Sequence, residues 1–161
     1  MMRYKDGKYF KRIQGAPMPL SFTVKRRVAL SEVDVMGIVW YGRYPLYFEE
    51  ASQELGRRCG LSYQDFYAAH LRAPIVQFHI DYYKPLHLDE EFTVRVCAPW
   101  CEGAKLLIEY EIRKIDGDLT TSAYTVQMFI DSHTEELYIT TPGLLEKMRQ
   151  RWLVGEFKCL K

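Results

Sequence analysis

The chain has 161 residues, the size of one domain that can bury a full hydrophobic core. Its hydrophobic share of 48% and charged share of 27% are those of a globular protein, and its net charge of +1 does not favour nucleic acid or an anionic membrane as a partner. Because residues 1–20 lack the apolar stretch of a signal peptide and no apolar run approaches membrane-spanning length, we predict a cytoplasmic protein.

The ligand-forming residues do not predict a metal site or a cofactor. None of the four cysteines belongs to a C-x-x-C pair, and a disulfide framework is not expected in a chain of this size without a secretory signal. Those cysteines are Cys59, Cys97, Cys101 and Cys159. Two short motifs, His79-x-Asp81 and His87-x-Asp89, each resemble half of a metal site, but a third ligand is not evident.

The first elements change from strand to helix periodicity. Phe22, Val24, Val28 and Leu30 alternate with polar residues, which predicts a half-buried strand after a polar N-terminal extension. The segment that follows has helical spacing: its apolar positions are Tyr44, Phe48, Ala51 and Leu55. Since proline is tolerated only in the first turn, Pro45 places the helix start near Tyr41 or Gly42, and Gly60 predicts its end.

Strand patterns dominate the rest of the chain. The predicted apolar faces are Val76–Tyr82, Phe92–Val96, Leu106–Ile112 and Tyr124–Ile130, and Asp116-Gly117 predicts a hairpin turn between the last two. A short helix from Leu144 to Trp152 follows. We therefore expect three segments: an N-terminal extension (1–20), one domain (21–152) and a C-terminal tail (153–161).

One long helix and a run of antiparallel strands favour an α+β fold in which a curved sheet wraps around the helix. The opposite face of the sheet would then be left for solvent or for another subunit. With this arrangement we predict a homo-oligomer.

The loop before the helix could carry chemistry. It places Asp34 and Gly37 just ahead of a helix N-terminus, whose unpaired N–H groups and positive dipole end can stabilise an oxyanion. A nearby carboxylate can act as a general base or as a nucleophile, so the loop could support acyl transfer. An aspartate before a helix is more often a cap, and spacing does not decide between these interpretations.

The same loop and helix resemble the signature of the 4-hydroxybenzoyl-CoA thioesterase and YbgC-type hotdog family. The matching residues are Asp34-x-x-Gly37-Ile38-Val39-Trp40-Tyr41-x-x-Tyr44 and Tyr47-Phe48-Glu49-x-Ala51. Ile80-Asp81-Tyr82-x-Lys84-Pro85 is similar to the strand and turn after the helix of that family. The resemblance covers about residues 22–140.

The resemblance implies a hotdog fold, a homodimer or homotetramer with sites between subunits, and hydrolysis of an acyl-CoA or acyl-carrier thioester without a cofactor. Asp34 would be the catalytic nucleophile or general base, and the N–H of Tyr41 would polarise the thioester carbonyl. Substrate contacts would come from five residues of the signature: Gly37, Val39, Trp40, Tyr44 and Glu49. Two further candidates for substrate contacts are His79, which alternates with the apolar residues of its strand, and Lys105.

The sequence departs from the family at two positions. Gly42 stands where YbgC-type members often carry a histidine, and only Lys105 provides a cation in the 100–105 stretch that resembles a CoA-phosphate loop. Two alternatives stay open: a hotdog hydroxyacyl dehydratase, disfavoured because no histidine lies between residues 22 and 69, and a non-catalytic acyl-CoA-binding module.

Overall fold

The computed structural model describes residues 8–158 and 160. This part of the chain contains seven strands and three α-helices. The strands are β1 (Leu20–Arg27), β2 (Leu71–Arg72), β3 (Ile75–Tyr82), β4 (Glu91–Ala98), β5 (Lys105–Lys114), β6 (Leu119–Met128) and β7 (Ile130–Asp131). The helices are α1 (Tyr44–Cys59), α2 (Tyr63–Ala68) and α3 (Gly143–Leu153).

The main sheet is antiparallel and has the strand order β1-β4-β5-β6-β3. Helix α1 packs on one face of this sheet, mainly over β1 and β4; we call this the inner face. The fully buried Phe92, Val94 and Val96 of β4 face the helix. This arrangement confirms the predicted α+β architecture with one long central helix.

The boundaries of α1 follow from its sequence. A 3-10 turn, Tyr41–Arg43, leads directly into the helix, and Pro45 occupies its first turn, where no helical N–H is needed. The helix ends at Gly60, whose left-handed φ of 77° is favourable only for glycine. The predicted start near Tyr41 and the predicted end at Gly60 are both confirmed.

The apolar alternation in β6 does not face the helix. Tyr124 and Val126 lie on the outer face, while Ala123 and Thr125 pair with the inward-facing Tyr110 and Ile108 of β5. The apolar side of this strand therefore lies away from α1. The physical reason is that another part of the chain covers the outer face.

That cover is the segment 8–19, which we call the N-terminal strap. Tyr9 and Phe10 are buried, and their rings contact the ring of Tyr124 at centroid distances of 5.0 and 5.1 Å. The buried carboxylate of Glu109 accepts the backbone N–H of Tyr9 (2.6 Å) and of Phe10 (2.8 Å) and also pairs with Arg12. The strap thus packs on the sheet of its own chain, and residues 1–7 lie outside the described part.

Two smaller differences concern the edges of elements. Leu30, predicted to be on the buried face of the first strand, lies in a 3-10 turn after β1 and is 74% exposed. Helix α2 was not predicted, although Ser62 and Asp65 form a capping box at its start.

Beyond α3, Phe157 is buried, so at least this part of the predicted tail packs on the domain. The division at residues 20 and 152 stays a prediction.

Candidate active site

A tight hairpin holds Asp34. Val33 pairs with Val39, the Asp34 N–H donates to the carbonyl of Ile38 (2.9 Å), and the Gly37 N–H donates to the carbonyl of Asp34 (3.0 Å). Gly37 has a φ of +75°, which this turn requires and which side chains rarely adopt. The hairpin fixes the backbone of Asp34 seven residues before Tyr41, where the 3-10 turn that leads into α1 begins.

The carboxylate of Asp34 also has a structural contact. Its Oδ1 accepts the backbone N–H of Met36 at 2.8 Å, the geometry of an Asx turn. The side chain is half-buried, while the neighbouring Val35 and Met36 are exposed at the hairpin tip. Its second oxygen has no hydrogen-bond partner within residues 8–158 and 160.

Unpaired backbone donors lie at the entrance to α1. Trp40 donates its N–H to Glu32 and Arg43 donates its own to Trp40, but among the described residues no acceptor takes the N–H of Tyr41 or Gly42. The first turn of α1 carries no acidic side chain, so its positive end is not neutralised locally. These two N–H groups can donate hydrogen bonds to a carbonyl oxygen that develops negative charge.

Two neighbouring elements hold this helix start. Val39 donates its N–H to Leu86 (2.9 Å), and the hydroxyl of Tyr82 donates to the carbonyl of Tyr41 (3.1 Å). The ring of Tyr82 also packs edge-on against the buried Tyr44, with centroids 5.0 Å apart. Partial burial raises the pKa of Tyr82, so its hydroxyl stays protonated as a donor.

The ring of Trp40 lies next to Gly42, the residue that replaces the histidine often found in YbgC-type members. A Cβ built on Gly42 would lie 2.3 Å from the Trp40 ring, so the indole occupies the space of any side chain there. The Trp40 and Tyr41 rings are 5.2 Å apart. In this chain an indole therefore covers the first turn at the position where YbgC-type members often carry a histidine.

A groove of about 780 Å³ opens between α1 and the inner face of the sheet. Its rim includes Pro45 and Glu49 of α1 and Ile75 and Phe78 of β3. Its floor is buried and mostly apolar. The volume is within the range of small-molecule sites.

The structure separates the predicted site residues into three groups. Asp34, Gly37, Val39, Trp40, Tyr41 and Tyr44 lie together in the hairpin and at the start of α1. Glu49 lies on the rim of the groove and accepts a hydrogen bond from Gln53 (3.1 Å). His79 and Lys105 lie with neither set.

His79 is on the outer face of the sheet, where its ring stacks on Tyr124 and its Nε2 is 3.0 Å from Asp81. Burial alone would raise the pKa of Asp81, but the hydrogen bond from Tyr9 and the contact with His79 outweigh it and lower that pKa. Lys105 is exposed at the start of β5, where its carbonyl accepts a bond from Arg149.

Sequence reasoning missed Ser52. It lines the groove and shares a 2.6 Å hydrogen bond with the hydroxyl of Tyr110, which the sheet places beneath α1. Its position one turn after Phe48 on the buried face of the helix was the available signal. Among residues 8–158 and 160, no group of three or more potential ligands is arranged to hold a metal ion.

Comparisons with known proteins agree with this architecture. The putative acyl-CoA thioesterase YneP of Bacillus subtilis is 29% identical over 107 residues, which cover 66% of this chain and 78% of that protein. The acyl-CoA thioester hydrolase YbgC of Escherichia coli is 23% identical over 105 residues, covering 65% and 78%. The crystal structure of the DHNA-CoA thioesterase from Staphylococcus aureus superimposes with a TM-score of 0.73 at 20% identity, covering 88% of this chain and 97% of that one.

The fold is that of the hotdog thioesterases, as the sequence resemblance implied. The model of the Thioesterase-like superfamily matches residues 28–151, and the chain belongs to this family. It is a thioester hydrolase. No helix in the described part of the chain is both long and apolar enough to cross a membrane.

Proposed function

We propose that the chain hydrolyses acyl-CoA thioesters to a carboxylic acid and free CoA, with Asp34 as nucleophile or general base and the helix start at Tyr41 as oxyanion site. The observation that carries this proposal is the pair of unpaired N–H groups on Tyr41 and Gly42, which follow in the chain directly after the hairpin that holds the carboxylate of Asp34. The names of YneP and YbgC support CoA as the thiol. The cytoplasm remains the predicted compartment.

The chemistry needs little more than these groups. A thioester carbonyl is weakly stabilised by resonance, and its thiolate leaves readily. If Asp34 acts as a base, it takes a proton from water as the water attacks the carbonyl; if it acts as a nucleophile, an acyl-aspartate forms and water then hydrolyses it. In both routes the N–H groups stabilise the tetrahedral oxyanion, and the thiolate takes up a proton on leaving.

The variant Asp34→Asn tests this assignment. Asparagine keeps an oxygen that can accept the Met36 N–H, so the Asx turn survives, but it is a poor base and a poor nucleophile. We expect kcat on acyl-CoA substrates to fall about 10²–10⁴-fold with KM changed much less, because the loss is in the transition state. The melting temperature should change little.

A second Asx turn offers a matched control. Asp116 accepts the backbone N–H of Asp118 at 2.9 Å in the turn between β5 and β6, the same type of contact as that of Asp34. Asp116→Asn should therefore leave both kcat and stability near wild type. If Asp34→Asn behaves like Asp116→Asn, with activity within threefold of wild type, Asp34 is a turn residue and the mechanism is wrong.

A further inference from the structure

The groove beneath α1 has a defined direction. At one end Phe48 packs on Tyr110 with ring centroids 4.7 Å apart, and Ser52 bonds to the same tyrosine. Toward the other end the lining comes from later residues of α1, namely Leu55 and Cys59, and from earlier residues of β5. Helix and strand therefore run antiparallel along the groove, which starts near the helix N-terminus and leads away from it.

The length of the groove can be measured along the helix and along the strand, and the two values are similar. From Phe48 to Cys59 the helix advances eleven residues, roughly 16 Å at about 1.5 Å per residue. From Tyr110 to Leu106 the strand advances four residues, roughly 14 Å at about 3.4 Å per residue. The groove is thus longer than a site shaped around one aromatic ring.

The floor of the far part of the groove is apolar and buried. Ile108 and Leu106 are 5% and 8% exposed and form its floor, while Met148 and Trp152 of α3 line it beyond Cys59. The indole N–H of Trp152 already donates to Met18 (2.9 Å), and the hydroxyls of Ser52 and Tyr110 already bond to each other (2.6 Å). The charged lining residues, Glu49, Arg57 and Arg72, are not buried. The hydroxyl of Thr125, near Tyr110, is a buried polar group of the lining that has no hydrogen-bond partner in the described part of the chain. The far half beyond Ile108 is apolar, and an extended hydrocarbon chain matches it.

We infer that the acyl group of the substrate is a medium or long unbranched aliphatic chain, which lies between α1 and β5 with its methyl end toward Met148 and Trp152. This inference rests on the proposed thioesterase function and specifies its substrate class. Each buried methylene adds to the binding free energy, so affinity should increase with chain length until the groove is filled. An aryl or short acyl group would leave the far half empty.

The experiment measures kcat/KM for butanoyl-, benzoyl-, octanoyl-, dodecanoyl- and hexadecanoyl-CoA with the wild type and two variants. Leu106→Phe adds bulk to the far floor, and Leu107→Phe adds the same ring to the neighbouring position on the outer face of β5. We expect the wild type to prefer octanoyl or longer esters by at least tenfold. Leu106→Phe should lose at least tenfold on dodecanoyl-CoA while keeping its butanoyl-CoA activity, and Leu107→Phe should keep the wild-type profile.

The outcomes separate the two proposals. Wild-type activity on benzoyl- or butanoyl-CoA that equals or exceeds that on dodecanoyl-CoA would overturn the aliphatic assignment and leave the thioesterase function standing. An equal loss on all esters in Leu106→Phe, or the same loss in Leu107→Phe, would also count against it. If no ester in the panel is hydrolysed, the proposed function itself fails. The wild-type profile decides the question even if Leu106→Phe folds poorly.

Discussion

The backbone N–H of Tyr41 can be removed by a substitution that keeps the backbone conformation at this position. Proline lacks this N–H and is tolerated at the first position of a helix. The residue before it, Trp40, already has the extended conformation that proline requires of its predecessor (φ −61°, ψ 133°). The carbonyl of Tyr41, which accepts the Tyr82 hydroxyl, is retained.

We predict that Tyr41→Pro lowers kcat on acyl-CoA substrates about 10²–10³-fold, the usual effect of losing one oxyanion donor. Tyr41→Phe keeps the N–H and changes only a side chain that is 69% exposed, so its kcat should stay near wild type. Steady-state kinetics and circular dichroism on both variants measure this. A Tyr41→Pro enzyme that is folded and as active as Tyr41→Phe would exclude this N–H from the site.

The ends of α1 were predictable because each depends on one residue with restricted backbone geometry. Pro45 limits the start, and Gly60 adopts a left-handed conformation at the end. The signature from Asp34 to Tyr44 likewise falls on one hairpin and one helix start, so local sequence placed most of the candidate site. Such features are readable because they depend on neighbours in the chain.

What the sequence did not reveal depends on contacts between distant residues. The apolar side of β6 lies away from α1 because Tyr9 and Phe10, more than a hundred positions earlier, cover Tyr124. His79 lies on that same outer face, and Ser52 enters the groove only because β5 brings Tyr110 beneath it. Periodicity gives two faces of a strand but does not say what covers each one.

The C-terminus of α1 gives a test of element stability. Gly60→Ala places a Cβ on a backbone with φ 77°, 2.9 Å from the guanidinium of Arg151, and should destabilise the fold by about 1 kcal/mol or more. For a chain of this size that corresponds to a melting temperature lower by roughly 2–4 °C per kcal/mol.

The control for that variant is Gly143→Ala at the start of α3. Gly143 has no atom within 4 Å of an added Cβ and no positive φ, so alanine should be neutral or should raise the melting temperature. Calorimetry of the two variants compares them directly. Equal melting temperatures would mean that Gly60 is not required by the backbone of the helix end.

At the scale of the whole molecule, the two edges of the main sheet differ. Strand β1 carries Lys25, Arg26 and Arg27 on its edge, charges that discourage pairing with another strand. Strand β3 has no such cations, and several of its apolar side chains are exposed: Ile75, Val76, Phe78 and Tyr82. Within residues 8–158 and 160, β3 pairs only with β6, so one row of its backbone groups is open.

Because the N-terminal strap covers part of the outer face and α1 covers part of the inner face, the β3 edge is the surface most suited to a second copy of the chain. We therefore predict a homo-oligomer, at least a dimer, that assembles through this edge. A dimer would bury the apolar side chains of β3 and extend the sheet across the interface. It would also bring the groove rim at Ile75 and Phe78 next to the partner.

Light scattering at micromolar concentration should give at least twice the chain mass of 19.0 kDa.

Val76→Lys places a charge on the open edge and should shift the protein toward the monomer and reduce its activity. Ile139→Lys adds the same charge at a position that is 93% exposed and outside the sheet, so its mass should equal that of the wild type. Because Val76 is 54% exposed, we expect the variant to fold, and circular dichroism checks this. A wild-type mass near 19 kDa would refute the oligomer, whereas an unchanged oligomer in Val76→Lys would move the interface away from β3.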